Sequence, residues 1–192
     1  MKNNNIAFDL DGTLVDFISQ LKDALWNRCK AKLIIQETYH LTTDPEISKK
    51  NFWKAIWDAY RQPESIMPYV GARNLLEKLF AVSNQPIKIV TARPKTTESH
   101  ILAMAAVKNC FGNIPVNLVC TGGSKNKLPH LKNIDYFVED RRQTAISLAN
   151  AGKYVFLIDR AYNQINNKVK NIKRIASLDT LYPVIHTFVK HT

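Results

Sequence analysis

Cysteine is scarce in this chain of 192 residues. Cys29, Cys110 and Cys120 stand far apart, with no C-x-x-C pair among them. So scattered a set excludes a disulfide framework and a cysteine-bound zinc site, and it fits a reducing compartment. Long apolar runs are missing too; none reaches the roughly 18 uninterrupted residues of a membrane span. The opening segment MKNNNIAFDLDG lacks the apolar core of a secretory leader. A cytoplasmic location with no membrane partner is therefore expected. Acids are few, 16 against 27 lysines and arginines, for a net charge of +11. A positive field concentrates anions, from nucleotides to nucleic acid. The basic residues are nevertheless spread out, the densest run being NKVKNIKR (167–174), so a solvated surface accounts for them equally well.

What remains is an ordinary globular composition, 45% hydrophobic and 22% charged, and a length of one domain or one domain with a small insert. Short β-type runs alternate with helical ones. NIAFDL (5–10), IKIVTA (87–92), PVNLVCT (115–121), DYFVED (135–140) and KYVFLID (153–159) are near-continuous apolar strands. Such runs are typical of a parallel sheet covered on both faces. Helical patterns occupy 72–83, 96–111 and 141–152, the last closing on Gly152. This alternation predicts an α/β fold with a doubly wound parallel sheet. Only 17–67 breaks the rhythm. It holds no convincing strand, and Asp44 and Pro45 look like the cap and first residue of a helix. The expected organisation is an α/β core of 1–16 and 68–192, with a small helical cap of 17–67 inserted after the first strand.

Ligands bind at the carboxyl ends of the strands in open α/β sheets. There the first strand ends in Asp9 and Asp11, the IKIVTA run in Thr91, and the DYFVED run in Glu139 and Asp140. Close carboxylates repel, each raising the others' pKa. A divalent cation is the simplest compensation. Mg²⁺ takes oxygen ligands and is usually held by one or two carboxylates together with a substrate phosphate. The cluster thus predicts Mg²⁺ and a phosphorylated substrate together.

FDLDGTLVDF resembles the first motif of the haloacid dehalogenase superfamily, and the remaining motifs follow in order. Thr91 in KIVTARP resembles the second, a lysine in GGSKNKLPHLKNIDYFVEDRR the third, and Asp140 in VEDRR the fourth. The resemblance implies that Asp9 attacks phosphorus and forms an aspartyl-phosphate. Asp11 then works as general acid and base; an aspartate at both positions is the pattern of the phosphatase branch. It further implies Mg²⁺ on Asp9, the Asp11 backbone carbonyl and Asp140, with Thr91 bonding the phosphoryl oxygens. A lysine would balance their charge. Lys125 is preferred for that role over Lys127. Gly12 permits the turn after the strand. Thr13 either fixes Asp9 or simply caps the turn. Glu139 is expected as an outer acid with Arg141 beside it.

An insert after the first motif closes over small substrates in this superfamily. The short 17–67 segment resembles the cap of the 5'(3')-deoxyribonucleotidase group, and Phe17 falls at that group's nucleoside-packing aromatic position. TARP departs from the group's second motif. Phe52, Trp53, Ile56, Trp57 and Tyr60 make one apolar helical face, which is cap core unless a ring stacks on a base. The histidines show no metal-ligand spacing, and Cys110 and Cys120 read as core. The expected function is a Mg²⁺-dependent phosphatase of small phosphomonoesters, most simply nucleotides. The alternatives are a phosphatase of nucleic-acid ends, which the positive charge favours and the cap disfavours, and a non-catalytic binding module, which needs no second acid. Oligomeric state is left open.

Overall fold

The computed structural model describes residues 5–35, 41–164 and 169–190. Six parallel strands form its central sheet, in the order β5-β4-β1-β6-β7-β8. They are β1 (Ile6–Phe8), β4 (Ile87–Thr91), β5 (Val116–Cys120), β6 (Tyr136–Glu139), β7 (Tyr154–Ile158) and β8 (Ile172–Ile175). The first five match the apolar runs, shortened at their ends. β8 was not expected from sequence. It is an edge strand of sequence IKRI whose first three residues are only half-buried, so no apolar run marks it.

Side chains alternate across the strands and so supply two cores. Ile6, Phe8, Ile87, Ile89, Val138, Phe156 and Ile158 join one cluster. It also takes in helices α3 (Ala72–Ser83), α4 (Thr97–Phe111) and α6 (Leu181–Lys190). Ala7, Val90, Phe137, Val155 and Leu157 face the other way. They meet Ala145, Leu148 and Ala149 of α5 (Arg142–Asn150). The chain is a three-layer α/β protein with β1 in the middle of the sheet. Among the described residues no helix is long and apolar enough to cross a membrane.

The segment after β1 contains more than helices. α1 (Phe17–Cys29) and α2 (Lys49–Tyr60) pack on each other, and between them runs an antiparallel hairpin of β2 (Lys32–Ile35) and β3 (Leu41–Asp44). Asp44 pairs with Lys32 in that hairpin, which keeps the backbone extended there. The α2 cap is therefore Ser48, whose side chain accepts from the Asn51 N–H at 3.3 Å, rather than Asp44. The two ends of the segment meet. Asp16 N–H donates to the Met67 carbonyl at 2.8 Å, and Tyr69 N–H to that of Leu14 at 3.0 Å. Phe17, Leu21, Leu25, Ala55 and Tyr60 share a cluster with Phe8 and Ile89. The insert is thus continuous with the core, close above the tip of β1.

Ile56 and Tyr60 of the expected aromatic face are buried, while Trp53 is 55% exposed. Cys110 and Cys120 are buried free thiols, as expected. Of the histidines, His40 and His191 lie outside the described residues.

Phe156 is fully buried in β7. Its replacement by alanine should cost about 3–5 kcal/mol, as deletion of a buried aromatic does. Val82→Ala, at a largely exposed position on α3, should stay within about 0.5 kcal/mol. Urea unfolding midpoints of the two variants check the pair.

Candidate active site

Asp9 follows directly on β1, and its N–H still bonds the Val138 carbonyl at 2.9 Å, so its side chain starts from a fixed strand end. Glu139 ends β6 and Asp140 comes next. Ligand oxygens of these three buried acids all lie within 4.8 Å of one another. Into the cluster reaches one ammonium. Lys127 Nζ is 2.9 Å from Asp9 Oδ2 and 2.8 Å from Glu139 Oε2, with the lysine fully buried. It sits at the junction of two 3-10 turns after β5. Lys125, two residues earlier, is exposed. The structure thus corrects the lysine expected from sequence: Lys127, not Lys125, meets the nucleophile candidate.

The remaining bonds fix each carboxylate. Asp9 Oδ1 accepts from the Leu10 N–H at 2.8 Å. Glu139 Oε1 accepts the Asp140 and Arg141 N–H groups at 3.2 and 3.0 Å. Glu139 therefore steadies Lys127 and the turn after β6, as an outer acid would. Asp140 Oδ1 accepts from Thr13 Oγ1 at 3.1 Å and Oδ2 from the Tyr162 hydroxyl at 2.7 Å. Thr13 thus bonds Asp140 rather than Asp9. Gly12 adopts φ +84°, and a Cβ there would collide with the Asp140 carboxylate. Only glycine lets the turn after β1 lie against that acid. Arg160 clamps the same turn, donating to the Gly12 carbonyl from Nε and Nη2 at 3.2 and 2.9 Å while its guanidinium lies over the Tyr69 ring.

Asp11 turns to a different partner. Its Oδ2 and Oδ1 accept from Arg93 Nε and Nη2 at 2.8 and 2.7 Å. Thr91, at the end of β4, lies beside it, with Oγ1 at 3.4 Å from Asp11 Oδ2. Phe17 is buried, stacked on Tyr60 with ring centroids 4.8 Å apart. Asp9, Asp140 and Lys127 therefore form one group, with Asp11, Thr91 and Arg93 next to it and Phe17 behind Arg93.

Arg93, Arg160, Tyr162 and Asn163 were not singled out from sequence. Arg93 lies inside the TARP segment. The others lie in the polar stretch DRAYNQ after β7, which carries no apolar or motif signal. Asn163 is fully buried there and bonds the Asp140 and Ile158 carbonyls, both at 2.6 Å.

The cluster is short of positive charge. Among the described residues three buried carboxylates face one ammonium in bonding contact, so that when all three are ionised two negative charges are left to be balanced. Burial pushes the Asp9 carboxyl up to about 8, against the pull of Lys127 and with Glu139 adding to the rise. Burial, then Asp9, pushes Asp140 up to about 6. Burial also raises Glu139, although Lys127 opposes it. Burial disfavours the Lys127 charge, but Asp9 and Glu139 outweigh it and hold the ammonium protonated. All-oxygen donors carrying a deficit of two charges fit a hard divalent cation such as Mg²⁺. Asp9 and Asp140 would supply carboxylate oxygens to it.

No family model matches the chain. A nucleotidase of Clostridium acetobutylicum is 26% identical over 193 aligned residues, covering 96% of this chain and 95% of that protein. A structure from the same organism, described as a predicted phosphatase, matches with a TM-score of 0.64 at 16% identity, covering 95% of this chain and 97% of the other. A haloacid dehalogenase-like family hydrolase from Streptococcus pneumoniae gives 0.62 at 16% identity, over 93% and 97%. The chain thus has the α/β fold of the haloacid dehalogenase-like hydrolases, with buried acids at the strand tips. Within that fold, its similarity in sequence runs to a nucleotidase along nearly the whole length.

An acid whose pKa rises on folding binds protons that the unfolded chain releases. Stability drawn from Asp9 is therefore present at low pH and lost as pH climbs from about 4, the unfolded value, through about 8. Asp140 adds to the loss between about 4 and about 6. In chelator, the melting temperature should fall across this window. Mg²⁺ at a hundredfold its Kd should restore about 2.7 kcal/mol, most visibly at the alkaline end, where it competes with fewer protons. Scanning calorimetry at several pH values, with and without Mg²⁺, checks both effects.

Proposed function

We propose that this chain is a Mg²⁺-dependent phosphomonoester hydrolase acting through an aspartyl-phosphate on Asp9, with deoxynucleoside monophosphates as its substrates. The observation that carries the reading is the placement of Asp9. It is a buried carboxylate at the tip of the central strand, 2.9 Å from the Lys127 ammonium and grouped with Asp140. The nucleotidase likeness over nearly the full chain supports the substrate class. The insert over the β1 tip supports a small substrate. The free thiols suit a cytoplasmic setting.

The residues divide the work as follows. The Asp9 carboxylate attacks phosphorus in line with the leaving oxygen. Asp11 gives that oxygen a proton, then receives one from the water that hydrolyses the intermediate. Thr91 donates to a phosphoryl oxygen, and Lys127 offsets the negative charge that gathers there. Lys127 holds Asp9 in place throughout. A divalent cation on Asp9, the Asp11 carbonyl and Asp140 would neutralise carboxylate and phosphoryl charge and so let them approach. Phe17 would act by shaping the nucleoside end of the site.

One observation favours a second reading. The net charge of +11 suits a phosphatase of nucleic-acid ends, whose binding would weaken steeply with salt.

Phosphate release with Mg²⁺ separates these readings across 5'- and 3'-deoxynucleoside monophosphates, sugar phosphates and a 3'-phosphorylated oligonucleotide. Mononucleotides should turn over fastest, and preference for the oligonucleotide would favour the second reading. Asp9→Asn should abolish release. Lys127→Met should lower kcat by about two to three orders of magnitude, the scale for losing one preorganised charge-stabilising group, whereas Lys125→Met should stay within about twofold, as expected of an exposed side chain. Undiminished release by Asp9→Asn would remove the nucleophile assignment.

A further inference from the structure

Arg93 is placed expensively. Its side chain is among the largest that are fully buried. Two of its guanidinium nitrogens fork onto both oxygens of Asp11, and the third, Nη1, is buried with no hydrogen-bond partner among the described residues. Burying a charge pair typically costs more in desolvation than the attraction returns, and an unpaired donor adds to the cost. A well-packed apolar residue would serve the fold as well or better. What the arginine supplies and an apolar residue cannot is a planar fork that sets the orientation of a carboxylate.

The guanidinium is itself held from the insert. Its Cζ lies 4.3 Å from the Tyr60 ring centroid and 5.8 Å from that of Phe17. Those rings stack on each other, so α1 and α2 together close over the arginine. From the core side, Arg93 N–H donates to Thr91 Oγ1 at 3.3 Å. The chain of contact runs from insert ring to guanidinium to Asp11. Asp11 keeps a 17% exposed side chain at the end of it.

We propose that Arg93 is a positioning residue that aims the Asp11 carboxylate at the water hydrolysing the Asp9 intermediate, with the Tyr60 ring holding Arg93 in register. This rests on the phosphatase reading above. In the step concerned, the water oxygen bonds to phosphorus and the phosphorus–oxygen bond to Asp9 breaks, its electron pair returning to the Asp9 carboxylate. The water proton passes to Asp11. Inorganic phosphate leaves, and Arg93 stays charged without gaining or losing a proton.

The test is rapid mixing of the full chain with p-nitrophenyl phosphate and Mg²⁺, reading p-nitrophenolate. That leaving group needs little protonation, so formation of the intermediate depends only weakly on Asp11. Wild type, Arg93→Met, Arg93→Lys and Tyr60→Leu are compared. Arg93→Met should lower kcat by about 10- to 100-fold, the low end of a general-base contribution. KM should fall in parallel, so that kcat/KM stays within about threefold, and a burst approaching one equivalent per enzyme should appear, because hydrolysis becomes the slow step. Arg93→Lys should lie between, and Tyr60→Leu should show a smaller effect of the same pattern. Should Arg93→Met fail to fold by circular dichroism, Tyr60→Leu decides on the same readout.

A raised KM at unchanged kcat would mean that Arg93 contacts substrate instead, and would overturn the proposal. So would kcat and kcat/KM falling together without a burst, or no change at all. A wild-type enzyme that releases no p-nitrophenolate overturns the phosphatase reading, and this inference with it.

Discussion

The buried ammonium of Lys127 lies between the carboxylates of Asp9 and Glu139, at 2.9 and 2.8 Å. Much of the site's arrangement depends on that contact. Without it, three acids would share one water-poor space with no cation in bonding contact, and each would resist ionisation. With it, Asp9 and Glu139 share one charged partner. Breaking such a pair by removing one partner typically costs about 3–5 kcal/mol, because a buried charge is left behind. Lys127 is also packed on the apolar side, its ammonium 5.4 Å from the Phe137 ring centroid. The lysine therefore ties the loop after β5 to the tips of both β1 and β6.

Around that contact the strand ends are locked from several directions. The turn after β1 lies so close to Asp140 that glycine is required at position 12. The loop after β7 returns Tyr162 and Asn163 to the Asp140 carboxylate and backbone, and Arg160 to the Gly12 carbonyl. The Arg160–Gly12 bond joins residues 148 positions apart in the chain at one point of the sheet. These bonds spend conformational freedom at the site, which is where preorganised charge is most useful. The insert adds a further constraint through Tyr60 and Arg93. Its rings touch the core next to Asp11 rather than standing apart as a separate layer.

The sequence made the fold legible wherever burial was complete on both faces. Four of the apolar runs reappear as the internal strands β1, β4, β6 and β7 because a doubly covered parallel strand has no polar alternation to hide it; the fifth run is the partly exposed edge strand β5, which its apolar residues still marked. β8 was illegible for the converse reason: IKRI is a half-exposed edge. The β2–β3 hairpin was hidden likewise, each strand being short and half-exposed. At the site, Asp9, Asp11, Thr91 and Asp140 could be placed because each sits at a strand tip, where position along the chain fixes position in space. The lysine could not. Lys125 and Lys127 are two residues apart in a 3-10 region, where three residues make a turn, so they point in different directions and counting cannot choose between them. Arg93 stands two residues after Thr91, but the contacts that hold it come from rings of α1 and α2, distant in sequence. Tyr162 and Asn163 depend on a loop with no pattern of its own.

The proposed hydrolysis depends on one covalent event at Asp9, which can be trapped directly. The protein would be mixed with a deoxynucleoside monophosphate and Mg²⁺, quenched during turnover and reduced with borohydride, which converts an aspartyl-phosphate to homoserine. Peptide mapping by mass spectrometry then locates the product. Homoserine at position 9, absent from protein quenched without substrate, is the predicted result. Turnover with no reduction product at position 9, or with the product at another acid, would contradict the account.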